Sequence, residues 1–486
     1  MNRQIRRVAY AVLIMFGAVF INLNWIQLVT AERLANHPSN TRLLLKEYAI
    51  ERGFIESADG QPLARSQKTP EAALKFLRVY EKGPLFAHAV GYYSIRFGRG
   101  ALERSYNDEL TGSGGVITMQ DLGDRLLGAG EKGDILTLSI DSRVQQAATE
   151  ALAGRRGAIV ALDPVSGQVL AMVSTPSFDP NPLSQHSSQG QEQTWNALQA
   201  DASKPMLNRT TASTYAPGST FKLLTAAAAL ESGRGVETSY PSAKTYRPPQ
   251  TDKEIGNFGG STCGGDMAAA LRVSCNTYFA QLGVEVGGEK LNEIARKFGF
   301  TETPPLDIRS VASKMPSEKD LRSPAFAAQS AIGQYNVAAT PLQMALVAAG
   351  IANGGKVPVP KIVKQIRDAR GDVVEQADAE IWKEAISKET AQTLRELMVS
   401  VVESGTGRNA AIPGVRIAGK TGTAQVGAAG DDTLSWFVAF APADAPRIAI
   451  AVVVEGAGDP RNETGGRLAA PMAKRVLEAH RGASGW

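Results

Sequence analysis

Between Arg7 and Glu32 the chain carries no charged residue, and most side chains there are aliphatic or aromatic. A helix of about 20 mainly apolar residues crosses a bilayer. The run from Val8 to Ala31 therefore constrains all that follows, because the rest of the chain must fold on one side of a membrane. Arg3, Arg6 and Arg7 before it and Glu32 after it place the N-terminus inside and the remainder outside. Val29-Thr30-Ala31 offers small residues where a signal peptidase could cut, but the apolar stretch is longer than a usual signal-peptide core. A buried soluble helix is disfavoured by the flanking arginines. The expectation is a retained signal anchor over residues 1–31, single-pass in the plasma membrane, with the bulk of the chain extracytoplasmic. Asn22, Asn24 and Gln27 are costly in lipid and point to a partner helix facing them.

The remaining length allows two or three domains with large cores. With 43% apolar and 21% charged residues, the composition is that of a globular protein. A net charge of +4 is too small to imply nucleic acid. His37, His88, His186 and His480 are scattered and the two cysteines form no Cys-x-x-Cys, so no metal cluster is visible and no cofactor is expected.

Residues 32–140 read as a β-rich scaffold. Asp59-Gly60 is a turn signal between apolar runs and predicts a hairpin. Gly100 to Gly112 reads as a short helix stopped by glycine. From residue 141 to 486 the pattern changes to an α/β domain. Gly157–Leu162 and Gln168–Val173 are strands joined by a turn; Ser177 to Met206, rich in Pro, Gln, Ser and Asn, reads as a long loop. Met267 to Leu282 is expected as one helical block, and two strands with a closing helix follow Lys420.

Chemistry concentrates in three short motifs. Ser219 follows Pro217-Gly218 and precedes an alanine-rich helix, so it sits at or just inside a helix N-terminus. Lys222 lies one turn on and on the same face, where its amine can reach the serine hydroxyl and act as a base if its pKa is lowered. A solvated surface lysine is the bland alternative; yet Ser219 alone among the serines has a lysine three residues later. Downstream come Ser274-Cys275-Asn276, with a hydroxyl for proton relay and an amide to orient substrate, and Lys420-Thr421-Gly422-Thr423. Gly422 lets backbone approach a ligand, the hydroxyls of Thr421 and Thr423 can hold a carboxylate, and Lys420 supplies positive potential. Gly414 to Thr421 also matches a phosphate-binding G-x-x-x-x-G-K-T loop, but the chain after Lys420-Thr421 is a poor helix start, which that motif requires.

The ordered triple Ser219…Lys222, Ser274…Asn276, Lys420-Thr421-Gly422 is the serine penicillin-recognising signature. In it, and in Arg52-Gly53, Asp59-Gly60, Leu102-Glu103, Leu207-Asn208-Arg209, Gly333-Gln334 and Thr340-Pro341, the chain resembles the class B penicillin-binding proteins, closest to their short actinobacterial type A members. Where relatives often show Gly-Gln-Gly, this chain has Gly333-Gln334-Tyr335. The resemblance implies an anchor helix, a β-rich pedestal of dimerisation type, and a serine β-lactamase/transpeptidase-like domain of antiparallel sheet flanked by helices, with an all-helical subdomain. It implies a D,D-transpeptidase that cross-links peptidoglycan stem peptides ending in D-Ala-D-Ala through an acyl-enzyme on Ser219. Lys222 would be the base, Ser274 the relay, and Asn276, Lys420, Thr421, Gly422 and Thr423 the substrate contacts. β-Lactams would trap Ser219, and a SEDS-family glycosyltransferase is the expected membrane partner. A D,D-carboxypeptidase or β-lactamase on the same triad, and a non-catalytic division scaffold, are the alternatives.

Outside the cell the two cysteines meet an oxidising environment and permit a single pairing, Cys263 with Cys275. Such a bridge would tie the glycine-rich loop around Cys263 to Ser274 and Asn276. Two unpaired cysteines, Cys275 being a small buried residue, is the competing expectation.

Overall fold

The computed structural model describes residues 2–30, 47–71, 74–113, 132–426, 432–456 and 463–486. The N-terminal apolar run forms helix α1 (Asn2–Trp25), prolonged by a π turn, Ile26–Thr30. It is long and apolar enough to cross a membrane. Leu13, Ile14, Phe16 and Phe20 are all exposed along it. Asn24 donates to the Phe20 carbonyl one turn back, at 2.8 Å, so this amide finds a partner within its own helix as well. Ala31 and the polar opening of the scaffold up to residue 46 lie outside the described residues.

The scaffold is built on a six-stranded sheet. Ile55–Glu56 and Pro62–Lys68 form the expected hairpin, Ile55 opposite Ala64, with Gly60 at φ +76° in the turn. The strand Phe76–Tyr80 extends the sheet on one side. On the other side lie Ile135–Leu138 and then two strands from much later in the chain, Val363–Arg367 and Val373–Gln376. Scaffold and closing domain thus share one sheet across residue 140. The segment from Gly100 to Gly112 folds as two short helices, Ala101–Ser105 and Asn107–Leu110. Glu103 in the first is fully buried between Arg52 (2.6 Å) and Arg78 (2.7 Å). Burial alone would raise its pKa, but the two guanidiniums hold it below the usual carboxylate range.

Residues 177–206 correct the expectation of a loop: they contain the helices Asn181–Ser184 and Ser188–Ala200. Ser187 caps the longer one through Gly190 N–H. It docks with Gln191 accepting from Ser94 Oγ at 2.7 Å and Trp195 stacking on Phe97 with centroids 4.4 Å apart. Leu198 packs beside Trp195, and Arg96 pairs with Glu192 at 2.9 Å; two large apolar side chains are too few to make a stripe that announces a helix.

The closing domain runs in order through α2 (Ser142–Leu152), β1 (Gly157–Leu162), β2 (Val169–Thr175), α3 (Lys222–Leu230), α4 (Asn276–Val286), α5 (Pro341–Ala352), α6 (Lys388–Ser404), β3 (Ala418–Val426), β4 (Asp432–Ala441), β5 (Ile448–Glu455) and α7 (Ala470–Ser484). The five strands form one antiparallel sheet in the order β3-β4-β5-β1-β2. Alternate side chains serve opposite faces. Ile159, Phe437, Ile450 and Val452 pack with Val144 and Ala148 of α2 and Val476 of α7. Val160, Trp436, Val438 and Val453 face Leu223 and Ala227 of α3 and Leu346 of α5. The block expected over Met267–Leu282 is broken: a helix over Met267–Arg272 stops, and α4 starts at Asn276. Between them Ser274 has φ +60°, a left-handed conformation costly for any residue but glycine.

Candidate active site

The turn before α3 is pinned from several sides. Gly218–Phe221 is a single 3-10 turn, with Gly218 at φ +52° and its N–H donating to Gly333 O at 3.1 Å. Trp436 on β4 donates its indole N–H to Ala216 O at 3.0 Å and meets the Tyr215 ring edge-on. The Tyr215 hydroxyl donates to Glu455 Oε1 at 2.8 Å, and the same oxygen accepts from buried Arg209 at 3.0 Å. From the other side β3 presses in at Gly422, where a Cβ would lie 2.9 Å from Pro217 O and from Thr220 Cγ2. Ser219 is held in this turn, partly exposed.

One turn further, Lys222 is fully buried. Its hydrogen bonds run to Ser274 O and Asn276 Oδ1, both at 2.6 Å, and to Ser274 Oγ at 3.4 Å. Among the described residues the Ser219 side chain makes no hydrogen bond, so the pairing expected from helical spacing is replaced here by one to the second motif. Lys420, also fully buried, donates to Ser274 Oγ and Thr421 O, both at 2.8 Å. The left-handed Ser274 thereby offers its carbonyl to one lysine and its hydroxyl to both. Burial pushes Lys222 well below the ordinary lysine range, helped by the neighbouring Lys420 cation. Burial alone pulls Lys420 down to about 7.

Lys420 to Thr423 lie on β3, which continues as strand through Val426; the G-x-x-x-x-G-K-T match is thus followed by no helix. Thr421 Oγ1 is 2.7 Å from Thr406 Oγ1, and Thr423 Oγ1 accepts from Gly465 N–H at 3.2 Å. Cys263 and Cys275 are joined by a disulfide, Cα atoms 5.8 Å apart. Sequence spacing gave no sign of Trp436, Glu455, Thr406 or Gly465. They act through contacts made by distant parts of the chain, and only Arg209 and Gly333 stood out beforehand.

Comparison with known proteins agrees with this geometry. The family described as "Penicillin binding protein transpeptidase domain" matches residues 157–478, and "Penicillin binding protein A dimerisation domain" matches residues 52–136. The chain is 39% identical over 490 residues to peptidoglycan D,D-transpeptidase PbpA of Mycolicibacterium smegmatis, covering 99% of each. It is 38% identical over 494 residues to PbpA of Mycobacterium tuberculosis, again covering 99% of each. Among solved structures it resembles the penicillin G acyl-enzyme complex of penicillin-binding protein A from M. tuberculosis. That match has a TM-score of 0.83 at 37% identity, over 88% of this chain and 99% of the other. The D,D-transpeptidase domain of a peptidoglycan glycosyltransferase from Eggerthella lenta gives a TM-score of 0.78 at 36% identity, over 90% and 99%.

Proposed function

Because the chain belongs to the penicillin-binding protein transpeptidase family, we propose that it is a serine D,D-transpeptidase that cross-links peptidoglycan during growth or division. The observation that carries the reading is the seating of Ser274 Oγ against two buried lysines beside the pinned turn of Ser219. Ser219 attacks the carbonyl between the two terminal D-alanines of a stem peptide. Lys222 takes its proton. A neutral amine that donates its two hydrogens to Ser274 O and Asn276 Oδ1 keeps a lone pair for that task. Ser274, held by Lys420, relays a proton to the leaving D-alanine amine.

Backbone N–H groups of Ser219 and Thr423 stabilise the oxyanion, each such donor being worth ~3 kcal/mol. Lys420 with Thr421 and Thr423 draws the terminal carboxylate, while Gly422 admits the backbone and Asn276 orients it. An amine from a neighbouring strand then resolves the acyl-enzyme. A β-lactam imitates the dipeptide and stops the cycle there.

Helix α1 is the single-pass anchor in this reading, with the catalytic domain outside the plasma membrane. Asn22, Asn24 and Gln27, the amides within the apolar N-terminal run, support docking of a polytopic SEDS-family glycosyltransferase. Intact-mass measurement with benzylpenicillin tests the nucleophile: one adduct, absent in Ser219→Ala. Incubation with lipid-linked substrate tests the reaction. Cross-linked product supports transpeptidation, whereas D-alanine release without cross-links would establish a carboxypeptidase.

A further inference from the structure

Helix α4 begins at Asn276, and the residue before it, Cys275, supplies no side-chain cap. Its first N–H groups are nevertheless satisfied. Asn257, remote in sequence and nearly buried, accepts through Oδ1 from Asn276 N–H at 2.9 Å and from Thr277 N–H at 3.0 Å. Its other end is used as well: Nδ2 donates to Ala243 O at 2.9 Å and Ser261 O at 3.0 Å. One amide therefore caps the helix and closes the loop that precedes it, a borrowed version of a local N-cap. The neighbouring Gly256 carbonyl accepts from Asn276 Nδ2 at 2.9 Å. That bond fixes which end of the Asn276 amide faces inward, and Oδ1 is left for the Lys222 amine.

We propose that Asn257 is a positioning residue for the reaction, setting the start of α4 so that Asn276 Oδ1 and Ser274 O meet Lys222. The proposal rests on Ser219 being the acylated nucleophile. Among the described residues no other side chain accepts from the Asn276 and Thr277 N–H groups. The Cys263–Cys275 bridge limits how far the segment can drift, but it makes no hydrogen bond to Asn276 N–H. Without Asn257 two helix N–H groups lose their acceptor, Ser274 loses a fixed neighbour in its left-handed conformation, and the amine that must receive the Ser219 proton loses its alignment.

The test is single-turnover acylation of the full chain by a fluorescent penicillin, in wild type, Asn257→Ala, Asn276→Ala and the double variant, at a temperature where each is folded. The amplitude reports the folded fraction and the rate constant reports the site, so partial unfolding does not mimic the effect. Asn257→Ala is expected to lower the first-order acylation constant at least tenfold. The double variant should be slower than Asn276→Ala by clearly less than the factor that Asn257→Ala loses from wild type, because part of the effect of Asn257 runs through Asn276 and part through Ser274 O. Multiplicative losses in the double variant, or a wild-type rate in Asn257→Ala, overturn the proposal. Should Asn257→Ala not fold, Asn257→Asp keeps the accepting oxygen and must acylate faster than Asn276→Ala; an equal or lower rate refutes the assignment. A wild-type chain that forms no adduct at Ser219 would instead refute the nucleophile.

Discussion

The Lys420 amine lies 2.8 Å from Ser274 Oγ, the same oxygen that the Lys222 amine approaches at 3.4 Å. Two lysines share one hydroxyl in a fully buried setting, and the acceptors around them are carbonyl and hydroxyl oxygens. Two full charges so close repel each other in a medium of low dielectric. Burial moves both groups toward neutrality, and at Lys222 the neighbouring Lys420 cation adds to it.

The first prediction concerns pH. Acylation needs Lys222 neutral, so its rate rises with pH as that amine loses its proton, at a pH well below the ordinary lysine value. Attraction of a carboxylate needs Lys420 charged, and that charge fades as pH passes about 7. The profile of the second-order acylation constant should be bell-shaped. In Lys420→Gln the neighbour that depresses Lys222 is gone, so the rising limb moves to higher pH and the falling limb disappears. A profile of unchanged shape in Lys420→Gln would refute the coupling.

The same burial affects stability. Lys420 has a folded pKa of about 7 against about 10.4 unfolded. Between those values the unfolded state binds more protons than the folded one, so stability rises with pH across this window. Lys420→Met removes a buried amine. It should be more stable than wild type at pH 6 to 7, and the advantage should shrink as pH rises toward 10. Thermal melts over that range decide it; a parallel pH dependence in the two proteins would show that Lys420 contributes no such term.

Much of this site is readable from residues alone because its chemistry is carried by short strings. Ser219 with Lys222, Ser274 with Asn276, and Lys420 to Thr423 each announce themselves in a few positions. The N-terminal apolar helix is legible for the same reason, as a local run of one composition. Contacts made over long separations are not legible. Glu455 reaches Tyr215 from the end of the last strand, and Asn257 caps a helix that starts nineteen residues later. Val363–Arg367 joins a sheet begun three hundred residues earlier. The helix Ser188–Ala200 is hidden for another reason, since Trp195 and Leu198 are its only large apolar side chains packed inward and make no stripe.

The disulfide gives a third prediction. Cys263 and Cys275 close a loop with a sequence separation of 12, for which chain entropy gives about 3 kcal/mol. Cys263→Ser/Cys275→Ser should lower the unfolding free energy by roughly that amount. Because Asn257 independently holds the start of α4, acylation in the folded double variant should fall only a fewfold. Denaturant titration and single-turnover labelling measure the two effects separately. Loss of acylation in a fully folded double variant would transfer the positioning role from the amide to the bridge.

A matched pair of glycines separates backbone strain from crowding at the nucleophile. Gly60 and Gly333 have nearly the same dihedral, φ +76° and +74°. Around Gly60 a Cβ meets open space, whereas at Gly333 it would lie 2.1 Å from Gly218 O. Gly60→Ala should therefore cost only the left-handed penalty, about 1–2 kcal/mol, and leave acylation at the wild-type rate. Gly333→Ala carries the same penalty and must also push the Gly218 carbonyl aside, breaking the bond from Gly218 N–H to Gly333 O. Ser219 follows directly in that turn, so its hydroxyl is displaced from the attacking position. A misplacement of about 1 Å costs on the order of a hundredfold in rate. Acylation of Gly333→Ala should fall by at least that factor in the folded fraction, far more than its loss of stability accounts for. Equal acylation rates in the two alanine variants would mean that the Gly333 loop does not set the nucleophile's position.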